Sequence, residues 1–271
     1  MRWVNRRIGR GNGFLLGAVP IALLVLLYLV AAASRHAENP NDKILPMPGA
    51  MVEAMAGLVV RADPLSGQFL FWTDTLASLE RLGLGLGIST LSALLVGLVL
   101  GALPPIRATF GPLVTGIAVI PPIALLPILF IAFGLGEAAK VALIVIGIAP
   151  FMIRDVAAHV ATLPREQIIK AQTLGAGSWQ LMLRVALPQA MPRLIQAMRL
   201  SLGPAWVFLI SAEAIASDTG LGYRIFLVRR YLSMDIILPY VAWIALLAVS
   251  MDFILTFTSR RLYPWAHGAG H

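Results

Sequence analysis

From Gly13 to Ala33 the chain reads GFLLGAVPIALLVLLYLVAAA, without a single charged side chain. An apolar run of about 20 residues is the length of a helix that crosses a bilayer, and it exceeds the apolar stretch of about 7–15 residues in a secretory signal peptide. The small residues of AAASRHA make a cleaved signal peptide the competing reading, and the length of the run favours a retained span. Such runs recur along the chain. With 59% hydrophobic and 13% charged residues and a mean hydropathy of +0.84, the sequence is excluded from the water-soluble class and belongs to an integral membrane protein. Its 271 residues allow about five to seven spans and leave no room for a separate soluble lobe. The net charge of +8 does not point to nucleic acid, because the arginines flank apolar segments and no basic run with interleaved aromatics occurs.

After the first span, residues 34–75 read as an external segment that includes a short amphipathic helix near Met51 to Val60. The second span is expected at about Leu82 to Leu103. Its Gly83, Gly87, Gly97 and Gly101 fall on one stripe with Thr90 and Leu94, a surface another helix can approach closely. The third, Leu113 to Phe133, contains IPPIALLP, and Pro121, Pro122 and Pro127 must break or kink it at membrane depth. The remaining spans are expected at about Ala138 to Phe151 or beyond, at Ala197 to Ala214 with a Gly203-Pro204 kink, and at Ile236 to Thr258. Six spans put both termini on one side. Twelve Lys or Arg then fall on the inside, from Arg2, Arg6, Arg7 and Arg10 to Arg260 and Arg261, against seven outside, so both termini are expected in the cytoplasm.

The longest inside segment, about residues 158–193, holds AQTLGAGSWQLMLRVALPQAMPRL, Ala171 to Leu194. Arg165 to Leu174 can form a short helix, Gly175 can end it in a left-handed conformation, and Ser178 can cap a second helix running to Leu187 before Pro188. Two spans need only about four to six residues to connect them, so a longer segment suggests a docking element. A surface linker is the alternative.

The pattern AxxxGxxxxxxxxxVxLP, met by Ala171, Gly175, Val185, Leu187 and Pro188, resembles the EAA loop of permease subunits of binding-protein-dependent ABC importers. The resemblance implies a coupling helix that docks in a groove of a cytoplasmic ATPase, with Glu166, Lys170, Ala171, Thr173, Leu174, Gly175 and Ala176 as the coupling residues. The family's Glu and first Ala correspond here to Ile169 and Lys170, so the charged contact they make is missing. LPMPGAMVEAM, SLERLGLGLGIS, IPPIALLPILFIAFGLGEAAK and SAEAIASDTGLGYRIF extend the likeness over most of the chain, toward the taurine, alkanesulfonate, nitrate and bicarbonate branch. That implies an all-α, six-span permease of the type I importer fold, a single domain over residues 1–271 with core spans at 82–258. It also implies a homodimer in the inner membrane, an ABC ATPase dimer that binds the ATP, a periplasmic or lipid-anchored solute-binding protein, no cofactor on this chain, and a small anionic solute. GLGYRIFLVRRYLSMDIILPYVAWIALLAVSMD also resembles members encoded beside urea or guanidine carboxylases, which leaves a urea- or guanidine-related solute as the alternative.

A membrane-embedded enzyme is disfavoured, since no HExxH occurs and His36, His159, His267 and His271 are scattered. A secondary transporter would bring more buried ionisable groups than Glu213 and Asp252, and an inverted repeat. Pro121, Pro122, Trp206, Ser211 and Glu213 are candidates for the pathway. Glu213 is expected either to face it, paired with Arg224, or to pack the TGLGY turn as a structural carboxylate. Asp252 is expected in an intramembrane pair or helix cap, and Glu80-Arg81 as an interfacial anchor.

Overall fold

In lipid a backbone must satisfy its own hydrogen bonds, and in one chain of long apolar runs the helix does so segment by segment. A computed structural model describes residues 10–39, 42–64 and 66–266, and every regular element among them is helical. Arg2, Arg6, Arg7, His267 and His271 lie outside the described residues. Helix α1 (Arg10–Glu38) is the first apolar run, α2 (Pro48–Val60) the expected external helix, and α3 (Leu70–Ala102) the second span. The third span is α4 (Pro104–Val119) followed by a 3-10 turn at Pro122–Leu125 and α5 (Leu126–Phe133). Its halves meet at 86°. Proline forces the residue before it into extended backbone, and consecutive Pro121 and Pro122 pull both Ile120 and Pro121 out of the helix. Helices α6 (Glu137–Ala161), α7 (Arg165–Thr173), α8 (Ser178–Leu181), α9 (Leu187–Ile215), α10 (Leu221–Arg229) and α11 (Met234–Leu262) complete the fold. Among the described residues five helices are long and apolar enough to cross a membrane, or six if the bent pair is one span.

The third span starts at Pro104 instead of Leu113 and the fifth well before Ala197, and two further departures from the sequence reading bear on the site. Helix α3 begins at Leu70, twelve residues before Leu82, so the external segment ends at 69 instead of 75. Thr73, Asp74 and Thr75 fall in the segment read as external and Arg81 in the expected interfacial anchor, yet Asp74, Thr75 and Arg81, with Ser78 between them, are buried against protein. The helix expected to stop at Leu187 does not stop. A π-helical turn at Met182–Ala186 joins α8 to α9, and one helix runs from Ser178 to Ile215. Gly177, not Ser178, is its N-cap residue.

The core is built from α3, α6 and α9, with α1 and α11 at the periphery. Helix α1 buries Ala32 and is tied down by the Tyr28 hydroxyl donating to the Pro46 carbonyl at 2.6 Å. Helix α3 meets α6 along Gly85, Ser89, Ala93, Gly97 and Gly101, a small residue at every fourth position. A Cβ on Gly85 would sit 2.6 Å from Ile144, one on Gly97 3.0 Å from Val156, and one on Gly101 2.5 Å from Val160 and 2.8 Å from the Ala157 carbonyl. Gly97 and Gly101 match the expected stripe. Gly83 and Gly87 do not, since nothing of this chain lies within 4 Å of a Cβ there. On the other face of α6, Gly147 receives the ring of Phe208 from α9.

Gly101→Val should therefore force the helices apart at a cost of about 1–3 kcal/mol, read as a lower detergent melting temperature and lower membrane yield. Gly83→Val, open on this chain, should melt within error of wild type. Equal behaviour of the two variants would refute the close α3–α6 contact.

Candidate functional site

Two polar regions occupy opposite ends of this apolar bundle. At the end where α3 and α6 finish, the chain turns out through α7. The Gly175 amide donates to the Gln172 carbonyl at 2.9 Å and the Ala176 amide to the Ala171 carbonyl at 3.0 Å, the paired bonds of a Schellman ending, with Gly175 at φ +84°. Gly175 thus takes the left-handed conformation its residue type favours. The Gln180 side chain accepts the Gly177 amide at 3.1 Å and starts the next helix. Glu166, Lys170, Thr173 and Leu174 are exposed and Ala171 and Ala176 half-buried. The Thr173 hydroxyl donates to the Lys170 carbonyl. Ile169, Leu174 and Trp179 stand out at 56%, 88% and 67% exposure, an apolar surface at the tip of a charged turn. The loop is tied back by the Gln189 amide donating to Gln167 at 2.7 Å, by Arg193 paired bidentately with Asp155 of α6, and by a contact of the His159 ring with the Gln189 carbonyl.

The opposite end holds an ionic network centred on α3. Asp74, Ser78 and Arg81, at positions i, i+4 and i+7, share one face of the helix. Asp74 pairs with Arg224 of α10 at 2.7 Å and accepts the Gly220 amide at 3.0 Å and the Tyr240 hydroxyl at 3.3 Å. Ser78 donates to Glu213 at 2.8 Å and accepts the Leu221 amide at 2.8 Å. Arg81 donates to Glu213 at 2.7 Å, to the Thr219 carbonyl at 2.7 Å, and through a bidentate pair to Glu137. Lys140 joins Glu137 at 2.9 Å and the Ser217 hydroxyl at 3.1 Å. Glu137 and Glu213 face Arg81 and Lys140, and Asp74 faces Arg224, so the network is neutral, with Glu137 at its exposed edge. Burial is the largest influence on Arg224 and opposes its charge, but the hydrogen bond and charge of Asp74 together with Tyr240 and Tyr223 outweigh it and raise the guanidinium above its ordinary pKa. Gly220 (φ +128°) is required twice, by its left-handed backbone and because a Cβ there would sit 2.5 Å from the Glu213 carboxylate.

Glu213 is therefore enclosed, at 0% exposure, and packs the TGLGY turn. Its cation is Arg81, whereas Arg224, the expected partner, belongs to Asp74. Arg81 is 4% exposed and is no interfacial anchor. Asp252 pairs with Arg199 of α9 at 2.8 Å, so it has an ionic partner on a neighbouring helix. Trp206 is packed inside the chain, its indole N–H without a partner among the described residues, and the Ser211 hydroxyl donates to the Val207 carbonyl. Trp206, Ser211 and Glu213 lie on α9, and the turn begun by Pro121 and Pro122 packs against that helix. Asp74, Ser78, Glu137, Lys140 and Thr219 were not anticipated. The readable signal was the polar stripe Asp74, Ser78, Arg81 within a helix of otherwise apolar character.

Removing one partner of a buried ion pair leaves an uncompensated charge. Glu213→Gln should destabilise the chain by about 3–5 kcal/mol, against under about 1 kcal/mol for Asp252→Asn, whose pair is partly exposed. Thermal unfolding in detergent reads the contrast, and equal losses would contradict the ranking.

Comparison with known proteins agrees with this architecture. Residues 91–264 match the family described as binding-protein-dependent transport system inner membrane component, and the chain belongs to that family. It is 35% identical over 197 residues to the taurine transport system permease protein TauC of Escherichia coli K12, covering 73% of this chain and 71% of that one. It is 30% identical over 195 residues to the bicarbonate transport system permease protein CmpB of Synechococcus elongatus, covering 70% and 69%. A chain of the inward-facing MetNI methionine ABC transporter superposes with a TM-score of 0.60 at 22% identity, over 74% of this chain and 97% of that one. Such a superposition establishes the shared fold.

Proposed function

We propose that this importer permease works as a pair of identical subunits, with the pathway between the copies, and that it carries a small anion such as a sulfonate, nitrate or bicarbonate. The carrying observation is the surface formed by Ile169, Leu174 and Trp179 around the Gly175 ending, an apolar docking face at the tip of a loop tied to α6 and α9. A cytoplasmic ABC ATPase dimer docks there and hydrolyses the ATP, so this chain carries no covalent chemistry of its own. Glu166, Lys170, Ala171, Thr173 and Ala176 surround the same contact. A periplasmic solute-binding protein delivers the substrate at the opposite end, beside the ionic network.

Three further observations support the reading. Helix α9 is central to the bundle, yet Leu200, Gly203, Pro204 and Val207 form an exposed apolar strip along it, suited to a second copy. Related permeases matched over two thirds of their length are named for taurine, a sulfonate, and for bicarbonate. The excess of basic residues at the loop end supports a cytoplasmic position for that end and for both termini. ATP binding closes the ATPase pair, the two docking loops move with it, and the permeases rock between inward- and outward-open states.

Gly175→Asp tests the assignment. A Cβ in the left-handed conformation costs on the order of 1–2 kcal/mol, and the added carboxylate obstructs the docking face. The variant should reach the membrane at wild-type level, yet co-purify with several-fold less ATPase and lose stimulated ATP hydrolysis. Reporters fused after His271 and near Asp42 should be active inside and outside, respectively. Full ATPase recovery with Gly175→Asp would reduce the loop to a linker, and a periplasmic C-terminus would overturn the topology.

A further inference from the structure

The exposed side chains of Arg107 in the first turn of α4, Arg154 on α6 and Arg165 at the start of α7 have no hydrogen-bonded or ionic partner among the described residues. Asp155, the acid nearest Arg154 in sequence, is already held by Arg193. A cavity of about 420 Å³ lies between α4 and α6, walled by Leu100, Val114 and Ala157 and bearing Arg107, Arg154 and Thr115. A second cavity of about 350 Å³ lies beneath the docking loop and shares Arg107, with Arg165, Gln172 and Ser178 among its walls. No acidic residue lines either one.

Each feature narrows the occupant. An unpaired guanidinium in an apolar groove calls for an anion, and its planar fork matches two oxygens of a phosphate. The Arg107 stem lies over Gly111, its Cγ 3.7 Å from where a Cβ would stand, so the side chain hugs the helix it starts. Arg154 lies seven residues before the end of α6, about 10 Å along the helix, and lines the groove beside Ala157 and Ala158. A soluble anion gains nothing from the Leu100, Val114 and Ala157 wall, whereas an acyl chain does. Both walls belong to helices of membrane-span type.

We propose that the α4–α6 groove binds an anionic phospholipid of the cytoplasmic leaflet. Its phosphate is held by Arg107 and Arg154 and its acyl chain lies along the apolar wall. Arg165 extends the positive field toward the docking loop. The leaflet rests on the topology proposed above; the lipid chemistry rests on the groove.

The test is native mass spectrometry of the purified full-length permease, exchanged with phosphatidylglycerol or phosphatidylcholine. Wild type should retain phosphatidylglycerol selectively. Arg107→Gln with Arg154→Gln should lose that retention on the order of thirty-fold, since each arginine near an anionic membrane surface contributes about a factor of five. Arg260→Gln with Arg261→Gln, which removes equal charge from the end of α11, should retain it. Excess inorganic phosphate should not displace the lipid. Should the double variant fail to fold, photoactivatable phosphatidylglycerol on wild type should label peptides of α4 and α6. Equal retention of the two lipids, equal loss in both double variants, displacement by phosphate, or labelling elsewhere would each overturn the site. The readout needs neither ATPase nor substrate, so failure of the Gly175→Asp test leaves it standing, and reversed reporters would change only the leaflet.

Discussion

A charged group inside an apolar bundle must find its counter-charge inside the same bundle, and that requirement organises one end of this molecule. Arg81 lies on α3, Glu213 at the end of α9 and Glu137 at the start of α6, and the three meet with Lys140 in a neutral cluster. Arg81, Lys140 and Glu213 are buried, and none of these three could be left unpaired without a penalty of several kcal/mol, while Glu137 closes the cluster from its exposed edge. The cluster therefore fixes the relative depth of the three core helices, since sliding α9 against α3 by a turn, about 5.4 Å, would separate Arg81 from Glu213, and sliding α6 would separate it from Glu137. Asp74 does the same for the segment after α9. By accepting the Gly220 amide and holding Arg224, it folds residues 216–224 back over α3 and sets where α11 begins its return. Phe71, Tyr240 and Trp243 close over that arrangement, with the Trp243 indole donating to Thr75 at 3.1 Å.

Below the charges, small residues take over. Lipid tails are as apolar as leucine, so helices in a membrane gain by approaching closely and less by burying oily side chains. Gly85, Ser89, Ala93, Gly97 and Gly101 give α3 such a surface, and Ile144, Val156 and Val160 of α6 fill it. The two devices reinforce each other. The glycine row permits the approach, and the ionic cluster at its end fixes the register.

The parts of the structure legible in sequence were local in origin. The length of apolar runs gave the spans, consecutive prolines gave the broken third one, and Gly175 gave the helix ending, because each depends on a few neighbouring residues. Two failures were not local. The polar start of α3 read as an external segment and an interfacial anchor because its partners lie 56 to 150 residues away, and nothing near Asp74 or Arg81 announces Glu137, Glu213 or Arg224. The glycine stripe was drawn parallel to the helix axis. Crossing helices instead meet along the inclined i+4 ridge, which keeps Gly97 and Gly101 and exchanges Gly83 and Gly87 for Gly85.

The loop around Gly175 and the ionic network lie at opposite ends of one helix, and this is the fold's main mechanical consequence. From Ser178 to Ile215 the backbone is continuous over 38 residues, roughly 57 Å at 1.5 Å per residue. Pro188 has no amide to donate, and the strain this brings is absorbed just before it, where the Leu187 amide reaches back five residues to the Met182 carbonyl in a π turn. Beyond that turn the rod is clamped three times, by Arg193 to Asp155, by Arg199 to Asp252 and by Glu213 to Arg81. A displacement imposed on the loop cannot be taken up by sliding, which would break the clamps, nor by an unwound connection, since there is none. It must appear at the far end as a tilt of α9 together with α3 and α6. The buried charges that fix the static structure thus also tie α3, α6 and α9 into one body.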